Sequence, residues 1–198
     1  MARFYLTTAI DYVNSRPHLG TAYEKITADV IARYKRLEGY EVSFLTGTDE
    51  HGLKIQKAAE ENGLEPSIYC EKISKIFKDL TKKLNLSNDD FIRTTEKRHH
   101  NSVKDLWNRL IKSGDIYLSK YKGWYSVSDE AYYNSGEIIE KNGKKFSTFS
   151  GSTVEWVEED SFFFKLSSWE KKLLEFYDKN KKFILPISRR NEVINFVR

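Results

Sequence analysis

The chain has 198 residues, 39% of them hydrophobic and 31% charged. That suffices for one large domain or one and a half around a real core, and the charges are too evenly mixed for a disordered chain. A net charge of +4 tolerates a polyanionic partner without demanding one, and the single cysteine, Cys70, excludes an intrachain disulfide. No apolar run approaches the ~20 residues that cross a bilayer, and no charged and then apolar leader opens the chain. The expectation is a cytoplasmic enzyme with no membrane partner, in which Cys70 is a small apolar helix residue.

The apolar run Phe4–Ile10 predicts a buried strand, and the stretch to about Leu37 carries Ala22, Ile26, Val30, Tyr34 and Leu37 at helical spacing. Pro17-His18-Leu19-Gly20-Thr21 falls on the turn between them. Free backbone N–H groups and the helix dipole favour an anion at such a turn. An imidazole that donates and a glycine that lets a ligand approach the backbone suit a triphosphate. A histidine in this place also serves as a helix cap. Tyr40–Leu45 predicts a second strand, ending in Thr46-Gly47-Thr48-Asp49-Glu50-His51-Gly52. Strand, helix and strand make a βαβ unit, and ligands of open parallel sheets bind outside the carboxyl ends of the strands. Both polar clusters are therefore expected to face one crevice.

A helix is expected over about Leu53 to Asn62, with Gly63 as its C′ residue. The next spans about Ser67 to Leu84, with Ile73, Ile76, Phe77, Leu80 and Leu84 facing the core. Phe91–Thr94 reads as a further strand. The helix from about Glu96 to Ser113 places Val103, Leu106, Trp107, Leu110 and Ile111 at core spacing and stops at Gly114. Its Arg98, His99, His100 and Lys104 read as a solvated face. Neighbouring helical residues point about 100° apart, so His99 and His100 cannot share a metal. From Asp115 the composition turns aromatic, with Asn142-Gly143 as a two-residue hairpin signal and Ser161–Lys165 as a strand. Ser167 and Glu170 form a capping box for a helix through about Tyr177, and a last helix begins after Ser188.

Thr7–Asn14 leading into Pro17-His18-Leu19-Gly20, followed by Phe44–Gly52, resembles the methionyl-tRNA synthetases, a family of class I aminoacyl-tRNA synthetases. The histidine motif is shared across that class, whereas Thr-Gly-Thr-Asp-Glu-His-Gly is narrower, because the isoleucine, valine and leucine enzymes differ after this strand. Similarity continues through Asp90–Thr95, Gly114–Tyr117 and Arg189–Val193, and so covers essentially the whole chain. The resemblance implies an α/β fold. Residues 1–114 would form the first half of a Rossmann-like parallel-sheet nucleotide-binding domain, and residues 115–198 an inserted, mainly antiparallel β connective polypeptide.

The family activates L-methionine with ATP and Mg2+, releasing pyrophosphate, and passes it from methionyl-adenylate to the 3′ end of tRNA(Met). Carried over residue by residue, Pro17, His18, Gly20 and Thr21 would bind ATP, with His18 and Thr21 catalytic. Thr21 stands where the family usually has a second histidine, which makes His18 the main phosphate donor. Ala9, Ile10 and Tyr12 would contact the methionine, and Asp49 its α-ammonium, unless Asp49 caps the following helix. Glu50 and His51 would support them from behind. The family's insertion usually carries a zinc knuckle, but Ser126 and Asp129 stand where its first two cysteines would be. With no histidine after His100, no zinc is expected, and aromatic packing must hold the insertion. The family's Lys-Met-Ser-Lys-Ser loop is not in the sequence. The chain thus reads as an N-terminal fragment that does not aminoacylate tRNA alone and exposes an apolar sheet edge. Two other readings stand beside this one: a cytidylyltransferase-like nucleotidyltransferase, and a non-catalytic methionine- or tRNA-binding synthetase-like protein.

Overall fold

A parallel sheet organises the first unit of the chain in the computed structural model, which describes residues 2–198. Its elements are β1 (Arg3–Thr7), β2 (Asp11–Tyr12), α1 (Leu19–Leu37), β3 (Glu41–Asp49), α2 (Leu53–Glu61), α3 (Pro66–Lys83) and β4 (Asp90–Arg93), followed by α4 (Lys97–Lys112). The unit ends at Lys104, within α4. β3 is the hub. It pairs in parallel with β1 from Arg3↔Glu41 to Thr7↔Leu45, with β2 at Asp11↔Thr48 and Tyr12↔Asp49, and with β4 from Leu45↔Asp90 to Thr48↔Arg93.

Two strand expectations change. The strand expected over Phe4–Ile10 leaves the sheet after Thr7 and rejoins it at Asp11. Between those points the backbone polar groups of Ala9 turn to α1: its N–H donates to Glu24 Oε1 at 2.9 Å, and its carbonyl accepts from Lys25 Nζ at 3.4 Å. β3, expected to end at Leu45, runs on to Asp49, because β2 and β4 supply partners for its last residues. Gly47 is in register with Ile92 of β4. A Cβ there would come 2.0 Å from the Ile92 carbonyl oxygen, so no larger residue fits.

The face that α1 buries is also a correction. Ile26, Val30, Tyr34 and Leu37 are exposed, while Thr21, Lys25, Ala28, Asp29 and Ala32 are buried. Ala28 and Ala32 let the helix approach the sheet closely and pack on Phe44, with Leu6 and Val42 beside them. The buried polar residues have partners. Asp29 accepts from the Ser87 backbone and hydroxyl, both at 2.6 Å, and from Arg33 Nε at 2.7 Å. Burial opposes its charge, but these bonds prevail and hold the carboxyl below its ordinary range. Val103, Leu106, Trp107 and Ile111 of α4 are likewise exposed, and no α4 residue is buried. Helical spacing marks an apolar stripe without stating what covers it.

The main core of this unit joins Val13, Ile55, Ala59, Tyr69, Cys70, Ile73, Phe77 and Phe91. Cys70 is buried, as expected, and burial raises its thiol pKa. Gly63 adopts φ +64°, and the Leu64 N–H reaches back to the Ala59 carbonyl, closing α2 with a left-handed cap.

The second unit starts at Asp105. It contains β5 (Ile116–Ser126), β6 (Ala131–Tyr133), β7 (Ile138–Lys141), β8 (Lys144–Ser147), β9 (Glu155–Phe164), α5 (Glu170–Lys179) and α6 (Ile187–Val197). β5 and β9 form a long antiparallel ladder from Ile116↔Phe164 to Tyr125↔Glu155, and β6 pairs with the end of β5. Cross-strand rings meet on it: Trp124 and Trp156 lie 5.2 Å apart between centroids, and Tyr121 and Tyr132 4.1 Å apart. β7 and β8 join through Asn142 and Gly143, both at positive φ, as a two-residue hairpin turn requires.

The expected capping box before α5 does not form. A 3-10 turn over Leu166–Trp169 places Ser167 inside the turn, and no side chain caps α5. The turn is anchored instead by Trp169 Nε1, which donates to Asp115 Oδ1 at 3.0 Å.

Candidate functional site

The start of α1 is built around His18. His18 is the N-cap, and its Nδ1 accepts the Gly20 N–H at 3.0 Å, satisfying one of the helix's free donors. An accepting Nδ1 leaves the proton of the neutral ring on Nε2, and the residue is exposed. His18 is thus a cap and an outward N–H donor at once. Gly20 has a reason the sequence did not suggest: a Cβ there would lie 2.9 Å from His18 Cε1, so the glycine makes room for the folded-back ring. Pro17 is half-buried, and Thr21 is buried on the face that α1 turns to the sheet.

The 8–12 segment is pinned to the same helix. Lys25 is almost fully buried, and its Nζ lies 2.5 Å from Asp11 Oδ2. Burial raises the Asp11 carboxyl pKa, even though the Lys25 hydrogen bond and charge act in the opposite direction. Thr8 is tied to β3 through its hydroxyl, 2.7 Å from that of Thr46. Ala9, Ile10 and Tyr12 are held by these links with part of each exposed. Pairing of β2 with β3 sets Tyr12 beside Asp49.

Asp49 ends β3 half-buried, and α2 begins only after Gly52, with no side-chain cap. The helix-capping alternative for Asp49 is therefore not adopted. Glu50, next along, is the most enclosed carboxylate of the site, with a side chain 0% exposed. It accepts from Arg93 Nε at 2.7 Å and Nη2 at 3.0 Å, from Thr48 Oγ1 at 2.7 Å and from Thr95 Oγ1 at 2.6 Å. Its own N–H donates to Thr94 Oγ1 at 2.9 Å. Burial would raise its pKa, but Arg93, Thr95 and Thr48 together hold it below the usual carboxylate range. His51 is exposed, with Nε2 3.3 Å from the Thr94 carbonyl and its ring 5.9 Å from that of His100.

Asp11, Glu24, Lys25, Arg93, Thr94 and Thr95 are the partners that sequence reasoning missed. The one visible signal was charge at buried helical positions, with Lys25 and Asp29 in step with Ala28 and Ala32.

In the second unit, Ser126 and Asp129 begin a hydroxyl–carboxylate cluster. Ser126 is fully buried, and its Oγ accepts the Asp129 N–H at 3.3 Å. The Asp129 carboxylate accepts from Tyr133 at 2.8 Å, Ser150 at 2.5 Å and Ser152 at 2.9 Å. Ser147 Oγ, also buried, accepts the N–H groups of Phe149 and Ser150. Among the described residues, no group of three or more His, Cys, Asp or Glu is placed to hold a metal ion, and no helix is long and apolar enough to cross a membrane.

Comparison with known proteins bears on this geometry. The family model described as "tRNA synthetases class I (M)" matches residues 4–198. Methionine–tRNA ligase of Rickettsia bellii is 51% identical over 195 residues, covering 98% of this chain and 38% of that protein. The corresponding ligase of Rhizobium meliloti is 51% identical over 196 residues, with the same coverage. Mycobacterium tuberculosis methionyl-tRNA synthetase in complex with methionyl-adenylate superposes with a TM-score of 0.92 at 48% identity, over 100% of this chain and 39% of that one. The chain thus spans about two-fifths of the length of these relatives.

Proposed function

This chain belongs to the class I (M) family of tRNA synthetases, and we propose that it takes part in joining L-methionine to tRNA(Met). Methionine and ATP, with Mg2+ carried on the phosphates, meet at the carboxyl end of β3. A methionine carboxylate oxygen attacks the α-phosphorus of ATP and a new P–O bond forms. The bond to the oxygen bridging to the β-phosphate breaks, and pyrophosphate leaves with the electron pair. The acyl group of the adenylate then passes to the 3′-terminal adenosine of the tRNA, and AMP is released.

One observation carries the reading. Ala9–Tyr12, His18 and Asp49 come from three separate segments, yet β2–β3 pairing and the Lys25–Asp11 link gather them around one end of the sheet. Asp49 pairs with the α-ammonium, and Ala9, Ile10 and Tyr12 offer a soft, partly aromatic wall to the thioether. His18 donates through Nε2 to the phosphates as charge spreads in the transition state. Pro17 and Gly20 shape the turn beneath the nucleotide. Thr21, being buried, contributes from the base of the site rather than its rim.

We further assign residues 1–114 to the first half of the nucleotide-binding domain and residues 115–198 to its connective insertion, in a cytoplasmic enzyme. The insertion works without zinc. The Ser126 and Ser147 hydroxyls accept the backbone N–H groups of Asp129 and Ser150, the Ser150 hydroxyl donates to the Asp129 carboxylate, and none of these groups is the thiolate or imidazole that structural zinc selects.

The test is methionine-dependent ATP–pyrophosphate exchange on the natural gene product, with and without His18→Ala. Exchange specific to methionine and strongly reduced in the variant is expected. Absence of exchange with every amino acid overturns the reading in favour of a non-catalytic binding protein.

A further inference from the structure

Asp49 and His51 flank Glu50 at the mouth of the site, and Glu50 is immobilised from every side. Its carboxylate takes a two-pronged guanidinium from Arg93, at 2.7 and 3.0 Å, and one hydroxyl on each oxygen, from Thr48 and Thr95. Its N–H is taken by Thr94, and its carbonyl accepts the Cys70 thiol at 3.7 Å. Arg93 is itself fixed twice. It is the last residue of β4, in register with Thr48, and its Nη1 also bonds Glu71 of α3. The Thr48 hydroxyl continues to Ser74 of the same helix at 3.0 Å. One guanidinium thus ties the end of β3, the end of β4 and α3 to a single buried carboxylate.

We propose that Arg93 is a positioning residue for methionine binding, acting through Glu50 to aim the neighbouring Asp49 and His51. This rests on the reading of Asp49 as the partner of the substrate ammonium. A planar fork on a carboxylate fixes orientation as well as distance, which a lysine cannot reproduce. Glu50 alternates with its neighbours along the chain, so holding both its side chain and its backbone leaves the Asp49 carboxylate little freedom to turn. A residue acting only on overall stability would affect ligands indiscriminately. One acting on Asp49 discriminates, since methionine meets Asp49 whereas ATP is gripped at the start of α1.

The experiment is calorimetric titration of the natural gene product with L-methionine and, separately, with ATP, for the parent protein and Arg93→Met, Arg93→Lys and Glu71→Gln. Arg93→Met is expected to weaken methionine roughly tenfold or more while ATP affinity stays within about twofold. Arg93→Lys recovers only part of the loss. Glu71→Gln removes the outer contact from a mostly exposed carboxylate, melts like the parent, and weakens methionine by a smaller factor. Should Arg93→Met fail to fold, the Lys and Gln variants still read the same split between ligands. Parent-like methionine affinity in the variants, or parallel loss of methionine and ATP, overturns the proposal alone. A parent protein that takes up ATP but no methionine overturns the functional reading with it.

Discussion

The proposed function gives His18 two tasks with two ring nitrogens, and they can be separated by substitution. Nδ1 caps α1, and in the proposed function Nε2 donates to a phosphate. His18→Ala removes both: the exchange rate is expected to fall about 10²-fold, and the helix to lose about 1 kcal/mol. His18→Asn returns a capping oxygen but not the outward N–H, so thermal melting recovers while the rate does not. Recovery of both would assign His18 to the fold alone. Lys25 gives a second case at this scale. Lys25→Met leaves the enclosed Asp11 carboxylate facing a hydrocarbon, at a cost of about 3 kcal/mol. Adding Asp11→Asn should restore part of it in a denaturant melt, because the loss comes from an abandoned charge rather than from the pair's net attraction. The motifs that carry His18, Gly20 and Asp49 were legible in the sequence because each is contiguous. Lys25, Glu24 and Arg93 were not, since their partners Asp11, Ala9 and Glu50 lie 14, 15 and 43 positions away and only the fold joins them.

Among the elements, β3 links sequence and site most directly. Its apolar half was legible as a strand. Its polar half was not, because the apolar run ends at Leu45 and Gly47 disfavours a strand, so that pairing with β4, and with β2 from Thr48 on, carries the strand to Asp49. Gly47→Ala tests that dependence. The added Cβ would lie 2.0 Å from the Ile92 oxygen, which is backbone and cannot swing aside. Parting β3 from β4 should cost about 2–3 kcal/mol and loosen the Arg93–Glu50 contact, so lower melting is expected together with weaker methionine binding. A variant that melts like the parent would mean β4 shifts freely at Ile92. The helices teach the converse. The α1 and α4 residues expected in the core were placed by spacing alone, and the larger ones proved exposed except Leu110, which is half-buried. α1 meets the sheet through alanines and neutralised charges, which hydrophobic periodicity does not score.

For the whole molecule, the two units rest on different physics, and all four tryptophans, at 107, 124, 156 and 169, lie in the second. Tryptophan fluorescence therefore reports that unit by itself. If its knuckle is held by hydroxyls around Asp129, chelators should leave its melting unchanged, whereas a zinc-held knuckle would loosen. The sharper test is acid. The hydrogen bonds from Ser150, Tyr133, Ser152 and Ser126, against a smaller opposing effect of burial, lower the Asp129 carboxyl from an ordinary 3.8 to about 2. A carboxyl depressed on folding favours the folded state above its unfolded pKa, and that contribution disappears as pH falls through the folded value. Asp129→Asn, which keeps the shape but not the charge, should thus melt below the parent by a constant margin from neutral pH to about 4. Between there and about pH 2 the margin should close, because the parent loses what the variant never had. A margin that persists at pH 2 would show that the asparagine harms the cluster by geometry, and that charge at position 129 does not hold the knuckle together.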